Sequence, residues 1–292
     1  MNLELVKEFS VSELMDGVQK LSKNCCPGED GFSTLFFQTY WDVIVDKLCR
    51  VCNSILQSGV MPMSMAVGLI YMIPKGNNQS VEMGKWRPIT LLNTVYKIYA
   101  KVLSLRIQKI LPELIHSSQT EFVKERSILD NIFTFWEAVA TAMKSKQNLA
   151  ILLLDFEKAY DKVDWAFLEG KMSCMGFSSN WITAVSAVYR NGPSKVMLAR
   201  GKGESFMLSR SVRQGCPMAP YLFLFFAEAM SSYLSDVVVG IQGLRIPHST
   251  EELLDTEFAD DTSLYVQGTE TNLRMVEKAL EVFCLGSGTK IN

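Results

Sequence analysis

Three aspartates stand where they could hold divalent metal ions. Asp260 and Asp261 are adjacent in the tetrapeptide Phe258-Ala259-Asp260-Asp261, and Asp155 ends the apolar run 149–154. Adjacent carboxylates repel each other and are costly to desolvate, so a chain that places them beside apolar segments needs a proton or a cation to offset their charge. Three carboxylates in this arrangement could hold two cations, and we interpret them as ligands for Mg²⁺ carrying a nucleoside triphosphate.

An aromatic residue follows the first aspartate closely. Tyr160 lies in the segment Asp155-Phe156-Glu157-Lys158-Ala159-Tyr160, where a strand is expected to turn into a helix. Such a turn projects the aspartate and leaves backbone N–H groups free for a metal-bound triphosphate. If the ring packs under a sugar, a 2′-hydroxyl would collide with it, and the site would prefer deoxynucleotides. Without the aspartates, a core aromatic residue would be the better interpretation.

The turn Arg213-Gln214-Gly215-Cys216-Pro217 precedes an apolar helix. Gly215 would let the backbone approach a base or sugar, and Pro217 suits the first turn of a helix. A nascent base pair could rest there. Taken alone, however, the pentapeptide is better explained as a strand-to-helix connection without a ligand.

Apolar spacing predicts the elements that must position these residues. Helices are predicted over residues 11–21, 35–56, 93–111, 130–143, 217–234 and 272–284. In the helix over 130–143, six apolar residues share one face: Ile132, Phe133, Trp136, Val139, Ala140 and Met143. Extended segments are predicted over 66–73, from Arg87 and over 149–154, and segments 254–259 and 262–266 predict a β-hairpin with the adjacent aspartates at its tip.

Composition indicates a globular protein with a large core. The chain has 292 residues, of which 48% are hydrophobic, enough for two subdomains. Its longest apolar stretch, around 221–227, is far below the roughly 20 residues that cross a bilayer, and a secretory signal pattern is absent from the first residues. We therefore expect an intracellular chain, cytoplasmic or nuclear, that is neither secreted nor membrane-spanning. Its seven cysteines are expected to be reduced, with Cys49 and Cys52 in a helix core.

The formal net charge of −2 conceals an uneven distribution. Between residues 75 and 126, nine basic residues stand against four acidic ones; the nine are Lys75, Lys85, Arg87, Lys97, Lys101, Arg106, Lys109, Lys124 and Arg126. Segment 251–261 has only acidic charges: Glu251, Glu252, Asp255, Glu257, Asp260 and Asp261. A positive region separate from a negative one suits a metal site that faces a polyanion, although either run alone would fit an ordinary solvated face.

These motifs together resemble the core motifs of reverse transcriptases, and most closely those of non-LTR, LINE-type retrotransposons. The resemblance rests on the order and spacing of segments 153–165, 213–220 and 258–261. Further matches are 27–31, 86–93 with Tyr96 and Lys97, and 119–123 with 126–131. Nearly the whole chain is covered.

The resemblance implies a role for each matching aspartate. Asp155 and Asp260 would be the principal ligands of two Mg²⁺ ions, which Mn²⁺ could replace, with Asp261 beside them and the backbone carbonyl of Phe156 completing one coordination shell. One ion would activate the primer 3′-hydroxyl and the other would hold the triphosphate, the two-metal arrangement of phosphoryl transfer.

The resemblance also implies residues that bind the nucleotide. Tyr160 resembles a steric gate against ribonucleotides, and Gln214 with Gly215 would touch the incoming nucleotide and template. Arg87 would neutralise triphosphate charge, and Lys290 lies in a segment similar to a later palm motif.

The implied fold is α+β: the fingers and palm of a right-hand polymerase, with an antiparallel palm sheet packed on helices and the thumb absent. The expected domains are an N-terminal extension and fingers over 1–146, palm over 147–165, a fingers insert over 166–212 and palm again over 213–292. The implied partners are an RNA template, a DNA primer and deoxynucleoside triphosphates. Without a thumb, nucleic-acid binding would be weak and salt-sensitive.

Two alternatives stay open at this point. A viral-type RNA-dependent RNA polymerase shares the palm chemistry but usually has a hydroxyl-recognising acid where Tyr160 stands; Asp161 is one position away. A truncated retroelement remnant would at most bind nucleic acid and catalyse nothing, which the end of the chain inside a motif at Asn292 would suit.

Overall fold

The computed structural model describes residues 2–23, 25–76, 82–199, 201–246 and 252–291. Within them, helices α1 to α13 span, in chain order, Asn2–Leu5, Val11–Gln19, Thr34–Thr39, Trp41–Ser58, Met63–Ala66, Thr94–Ile107, Leu111–Leu114, Ile128–Ser145, Ala159–Lys162, Trp165–Cys174, Ser179–Ser186, Ala219–Leu234 and Glu270–Ser287. Strands β1 to β9 span Gly68–Pro74, Trp86–Leu92, Leu149–Asp155, Pro193–Leu198, Gly201–Met207, Leu244–Arg245, Glu252–Leu253, Asp255–Phe258 and Asp261–Gln267.

The first of two compact units contains the residues up to Lys109 together with Met172–Ala219. Its sheet has the order β2-β1-β4-β5. Strand β1 pairs antiparallel with β2 and parallel with β4, and β4 pairs antiparallel with β5. The parallel pair joins strands that are far apart in sequence, so the two chain segments of this unit form one sheet.

Helix α6 is buried along most of its length in the first unit. The hydroxyl of Tyr96 donates a hydrogen bond to the carbonyl oxygen of Val188. The hydroxyl of Tyr99 donates to the carbonyl oxygen of Ala184 at 2.9 Å. Because a buried hydroxyl without a partner is costly, these bonds fix α6 against the later segment of the unit.

Arg106, near the end of α6, is a buried cation with 6% of its surface exposed. Its guanidinium donates to the carbonyl oxygens of Leu5, Lys7 and Glu8 and forms an ion pair with Glu13 at 2.9 Å. Burial alone would raise the pKa of Glu13, but hydrogen bonds from Arg106 and Ser10 hold it below the usual value. Arg106 thereby secures the N-terminal residues to the first unit.

The region predicted as one helix over 35–56 forms two helices, so that prediction is wrong. Helices α3 and α4 are separated at Tyr40, whose backbone has φ −101° and ψ 24°. The apolar spacing continues across this break, which is why spacing alone does not detect it. Cys52 of α4 is fully buried, as expected for a core cysteine.

The second unit contains Ile110–Lys171 together with the residues from Pro220 onward. Its main sheet has the order β3-β9-β8 and is antiparallel throughout. Strands β6 and β7 form a separate antiparallel pair. The strand predicted over 149–154 and the hairpin predicted around the adjacent aspartates are both confirmed.

Helix α8 is present where predicted, but the side that it buries is different. Its buried residues are Ala138 and Ala142, which pack in a cluster with Leu244 and Tyr265. Small alanines let the helix approach the sheet closely, and apolar spacing does not show which side does so. Four members of the predicted apolar face are exposed by 44%, 69%, 69% and 77%: Ile132, Phe133, Trp136 and Met143.

The charged regions predicted as surfaces are only partly surface. Lys97 and Arg106 from the basic region are 4% and 6% exposed. Asp255 and Glu257 from the acidic region are 4% and 1% exposed. Glu251 lies outside the described residues. Counting charges along the sequence therefore overstates both surfaces, because it does not distinguish a charged group that makes internal hydrogen bonds from one in water.

The predicted α+β class is confirmed, with helices packed on sheets that are antiparallel apart from the β1–β4 pair. The chain passes between the two units after Lys109, Lys171 and Ala219. The fingers and palm boundaries given above stay predictions.

None of the helices in the described residues combines the length and the apolar character needed to cross a membrane.

Replacing Arg106 with Ala should lower the free energy of unfolding by roughly 3–5 kcal/mol, because it leaves Glu13 without its partner and backbone carbonyls without their donor. The matched control is Arg50→Ala, since Arg50 is exposed in the same unit and its change should stay within about 0.5 kcal/mol. Urea unfolding followed by circular dichroism measures both. Equal effects of the two substitutions would show that Arg106 does not hold the N-terminal residues.

Candidate active site

The adjacent aspartates lie at the tip of the β8–β9 hairpin. Phe258 pairs with Asp261, so Ala259 and Asp260 form a two-residue loop. Ala259 has φ 55°, in the left-handed region that glycine occupies without strain. A positive φ at the first loop position matches a tight hairpin turn, in which Asp260 is the second loop residue.

The strand register brings Asp155 to the same place. In the β3–β9 pair, Asp155 stands directly opposite Asp261, and both side chains are exposed. Residues directly opposite in an antiparallel pair have Cβ atoms about 4.5–5.5 Å apart, and like charges there are destabilising. Burial, and then the negative charges of Asp261 and Asp155, raise the pKa of Asp260 above its usual value. The strand register and the turn therefore place all three predicted aspartates at the same end of the sheet.

The donor chemistry of these aspartates suits a hard divalent cation. Carboxylate oxygens are the ligands that Mg²⁺ takes in proteins, and a cation would offset the repulsion that acts on Asp260. Within the described ranges, no three Asp, Glu, His or Cys side chains already converge as a ligand set. The residue types alone therefore fit the predicted ions.

Phe156, which follows Asp155 directly, packs in the core of the second unit. Its side chain is buried, with its ring centroid 5.6 Å from that of Phe223, 6.2 Å from Phe226 and 6.5 Å from Phe283. Its backbone forms an antiparallel bridge with Ile291. Burial of an aromatic side chain stabilises the folded state by roughly 2 kcal/mol. Phe156 therefore fixes the chain directly after Asp155.

Lys290 lies beside the first aspartate motif, in the same unit. Its carbonyl oxygen accepts a hydrogen bond from the N–H of Glu157 at 2.9 Å, and its ammonium lies 3.8 Å from the Glu157 carboxylate. The Lys290 side chain is 66% exposed. A cation is thus placed next to Phe156, one residue beyond Asp155.

Tyr160 lies on α9, just after the strand that ends at Asp155. Lys158 has φ 52°, and this left-handed residue turns the chain from β3 into the helix. The Tyr160 ring stacks on Phe223 at 5.2 Å with an interplanar angle of 24°. Burial, and then the charges of Asp260 and Glu121, raise the pKa of Tyr160 to about 12. The Tyr160 ring therefore contributes to packing, and its hydroxyl interacts electrostatically with the Asp260 carboxylate.

The other predicted nucleotide-binding residues belong to the first unit. Arg87 is exposed on β2, opposite Ile73 of β1. The Gln214 carbonyl accepts a hydrogen bond from the N–H of Thr90 at 2.8 Å. Gly215 has φ 114°, and a Cβ there would lie 2.4 Å from the carbonyl oxygen of Thr90. The close approach that this glycine permits is therefore to β2 of the same unit.

The prediction that Pro217 begins a helix is wrong. Helix α12 begins at Ala219, and a turn precedes it, in which the N–H of Ala219 donates to the carbonyl oxygen of Cys216 at 3.0 Å. A proline fits a turn as readily as a first helical position, because both have the φ that its ring imposes.

A group of buried polar residues behind the hairpin escapes sequence reasoning. Glu257 is 1% exposed, and its carboxylate accepts a hydrogen bond from the Gln119 side chain at 3.2 Å. Asp255 accepts from Ser118 at 3.1 Å and from Ser231 at 2.7 Å. Burial, and then the neighbouring carboxylates, raise the pKa of Glu257 well above its usual value. No spacing pattern marks these acids as buried, because their partners are distant in sequence.

Residues 73–292 match the protein family described as reverse transcriptase (RNA-dependent DNA polymerase). The chain belongs to the reverse transcriptase family. That match covers the hairpin aspartates, Asp155 and every other predicted site residue. The resemblance drawn from the sequence motifs is thus confirmed.

Curated relatives agree with this membership. The transposon TX1 uncharacterized 149 kDa protein of Xenopus laevis is 30% identical over 284 residues, which are 97% of this chain and 21% of the relative. The Pol polyprotein of the R2 retrotransposable element of Nasonia vitripennis is 24% identical over 89% of this chain and 24% of the relative. The RNA-directed DNA polymerase from the mobile element jockey of Drosophila melanogaster is 23% identical over 87% and 27%. The chain thus spans about a fifth to a quarter of the relatives' length.

A solved structure supports the fold. Telomerase from Candida tropicalis, in complex with a fragment of telomeric RNA, matches 89% of this chain and 44% of its own with a TM-score of 0.56. The sequences are 14% identical, so this likeness concerns the fold alone.

The raised pKa of Glu257 makes a prediction about stability. The usual value of this pKa is 4.5. A raised folded pKa gives stability that is fully present below the unfolded pKa and is lost as pH rises through the folded pKa. As the pH rises above the usual pKa of the carboxyl, the chain should therefore lose stability relative to Glu257→Gln, by up to about 1.4 kcal/mol per pH unit, until the raised folded pKa is passed.

Urea unfolding at several pH values measures this difference. Glu281→Gln, which changes an exposed glutamate of the same unit, should leave the pH dependence unchanged. Parallel curves for the chain and Glu257→Gln would show that the folded state does not favour the protonated carboxyl.

Proposed function

We propose that this chain is the catalytic core of an RNA-directed DNA polymerase, which adds deoxynucleotides to a primer 3′-hydroxyl along an RNA template. The observation that supports this most directly is the register that sets Asp155 opposite Asp261, with Asp260 in the adjoining turn. Membership of the reverse transcriptase family supports the reaction class. A relative described as an RNA-directed DNA polymerase supports the activity.

The metal-binding residues would be Asp155, Asp260 and Asp261, with the backbone carbonyl of Phe156. When bound, two Mg²⁺ ions would activate the 3′-hydroxyl and stabilise the in-line transition state, and Mn²⁺ could substitute. The protein's contribution is to hold the carboxylates at the end of β3 and at the hairpin tip, on elements fixed by the sheet and by Phe156. Positioning on rigid elements matters because a displacement of about 1 Å can cost roughly 100-fold in rate.

Tyr160 would act as the steric gate against ribonucleotides. Stacking on Phe223 fixes the ring plane, and the ring lies near enough to Asp260 for that charge to raise its pKa. A fixed ring beside the metal-binding carboxylates excludes a 2′-hydroxyl better than a mobile one, since a mobile ring could move aside.

The remaining nucleotide-binding residues of the proposal are Arg87, Gln214, Gly215 and Lys290. Arg87 would neutralise triphosphate charge, Gln214 and Gly215 would touch the nucleotide and template, and Lys290 would add a cation beside Phe156. In this proposal residues 1–146 and 166–212 would form the fingers, and residues 147–165 and 213–292 the palm. RNA template, DNA primer and deoxynucleoside triphosphates are the partners.

Replacing Asp260 with Asn should lower single-turnover primer extension by about 1,000-fold or more, because it removes a charged ligand from the metal-binding set. The reaction is followed on an RNA template with a DNA primer and Mg²⁺. Asp236→Asn is the matched control, since it removes an exposed carboxyl of the same unit and should retain activity.

Template affinity is measured in the same samples. Extension by Asp260→Asn at the normal rate would refute the assigned mechanism. Template binding by the unaltered chain without any extension would refute the polymerase proposal and favour a protein that only binds nucleic acid.

Replacing Tyr160 with Ala should raise ribonucleotide incorporation relative to deoxynucleotide by at least about tenfold, whereas Tyr160→Phe should retain discrimination because the ring remains. Competition between the two nucleotides in primer extension measures the ratio. Equal incorporation of both by the unaltered chain would instead favour an RNA-dependent RNA polymerase.

A further inference from the structure

We propose that Gln119 is a positioning residue that fixes the Ala259–Asp260 turn and thereby the metal-binding carboxylate of Asp260. This inference rests on the proposed polymerase function and adds a residue to it. Gln119 does not reach the reacting atoms; it acts through the backbone of the residue before Asp260.

The side-chain amide of Gln119 forms hydrogen bonds to the backbone of Ala259 through both its oxygen and its nitrogen. Its Oε1 accepts a hydrogen bond from the N–H of Ala259 at 3.0 Å. Its Nε2 donates to the carbonyl oxygen of the same residue at 3.3 Å. Both peptide groups that flank the Ala259 Cα are therefore held by one side chain, so rotation of the turn would break both bonds.

The amide has further partners that fix its orientation. Its Oε1 also accepts from the N–H of Glu121 at 3.1 Å, and its Nε2 also donates to the Glu257 carboxylate at 3.2 Å. Gln119 is 1% exposed, so water does not compete with these bonds. A flipped amide would set Nε2 against the N–H groups of Ala259 and Glu121 and Oε1 against the Ala259 carbonyl oxygen, so these contacts exclude that orientation.

The backbone of Gln119 is itself secured to the strand that leads into the turn. It forms a parallel bridge with Glu257, flanked by hydrogen bonds from Thr120 N–H to the Glu257 carbonyl at 3.0 Å and from Glu257 N–H to the Ser118 carbonyl at 2.9 Å. The Arg126 guanidinium donates to the Gln119 carbonyl at 2.8 Å. The backbone position of Gln119 is thus fixed, and its side chain extends from there to the turn.

The turn needs such support because of its conformation. Ala259 has φ 55°, a region that costs a residue with a Cβ more than it costs glycine. The next residue is Asp260, which repulsion from Asp155 and Asp261 would push outward. Gln119 supplies the hydrogen bonds that keep Ala259 left-handed, and so keeps Asp260 where a cation can join it to Asp155.

The experiment compares Gln119→Ala and Gln119→Glu with Asn131→Ala. Gln119→Glu preserves the shape of the side chain and the oxygen that accepts from Ala259 and Glu121. It loses the two hydrogen bonds that Nε2 donates and places a second carboxyl group beside Glu257. Asn131 is the matched control, because its Nδ2 donates to the Glu257 carbonyl at 2.9 Å and so supports the same strand without touching the turn. Measured quantities are Mn²⁺ affinity by electron paramagnetic resonance, thermal unfolding, and the Mg²⁺ dependence of primer extension.

Both Gln119 variants should bind Mn²⁺ at least about tenfold more weakly than the unaltered chain and need correspondingly more Mg²⁺, as residues behind metal ligands generally show. Asn131→Ala should retain Mn²⁺ affinity even where its unfolding temperature falls as far. Unchanged Mn²⁺ affinity in a folded Gln119 variant would overturn the inference and leave the polymerase proposal intact. An unaltered chain that binds Mn²⁺ no better than Asp260→Asn would overturn both.

Discussion

Repulsion among three carboxylates is the constraint on which the second unit depends. Strand pairing fixes the backbone of Asp155 opposite that of Asp261, and the tight turn places Asp260 next to Asp261. Burial is the largest cause of the raised pKa of Asp260, and the negative charges of Asp261 and Asp155 add to it. If the proposed metal ions bind here, they would recover the stability that is lost to like charges.

Holding the carboxylates together requires support from two directions. Beneath β3, the Phe156 ring lies among Phe223, Phe226 and Phe283, which gives the end of the strand an apolar anchor. Behind the hairpin the support is polar: Gln119 binds the Ala259 backbone and the Glu257 carboxyl. These hydrogen bonds hold the turn, while Oε1 of Glu257 has no hydrogen-bond partner among the described residues.

The first unit uses several of its cations internally rather than on its surface. Arg106 binds three backbone carbonyls and Glu13, and the Lys97 ammonium donates to the Cys26 carbonyl at 2.6 Å. The Arg213 guanidinium donates to the carbonyl oxygens of Ala66 and Gly192. A basic residue near the family's motifs is therefore not always free to bind phosphate. Lys97, Arg106 and Arg213 bind backbone carbonyls, whereas Arg87 is exposed and could bind phosphate.

The sequence by itself determined the family, the α+β class, the hairpin and the three aspartates, because these follow from local order: adjacent acids, alternating or continuous apolar runs, and motif spacing. It did not determine the break at Tyr40, the buried side of α8 or the burial of Glu257 and Asp255. Those depend on which distant segment covers each side chain. Gln119 shows the reason most clearly: its partners in the hairpin, Glu257 and Ala259, lie 138 and 140 positions away, and only tertiary structure brings an amide to a turn across that separation.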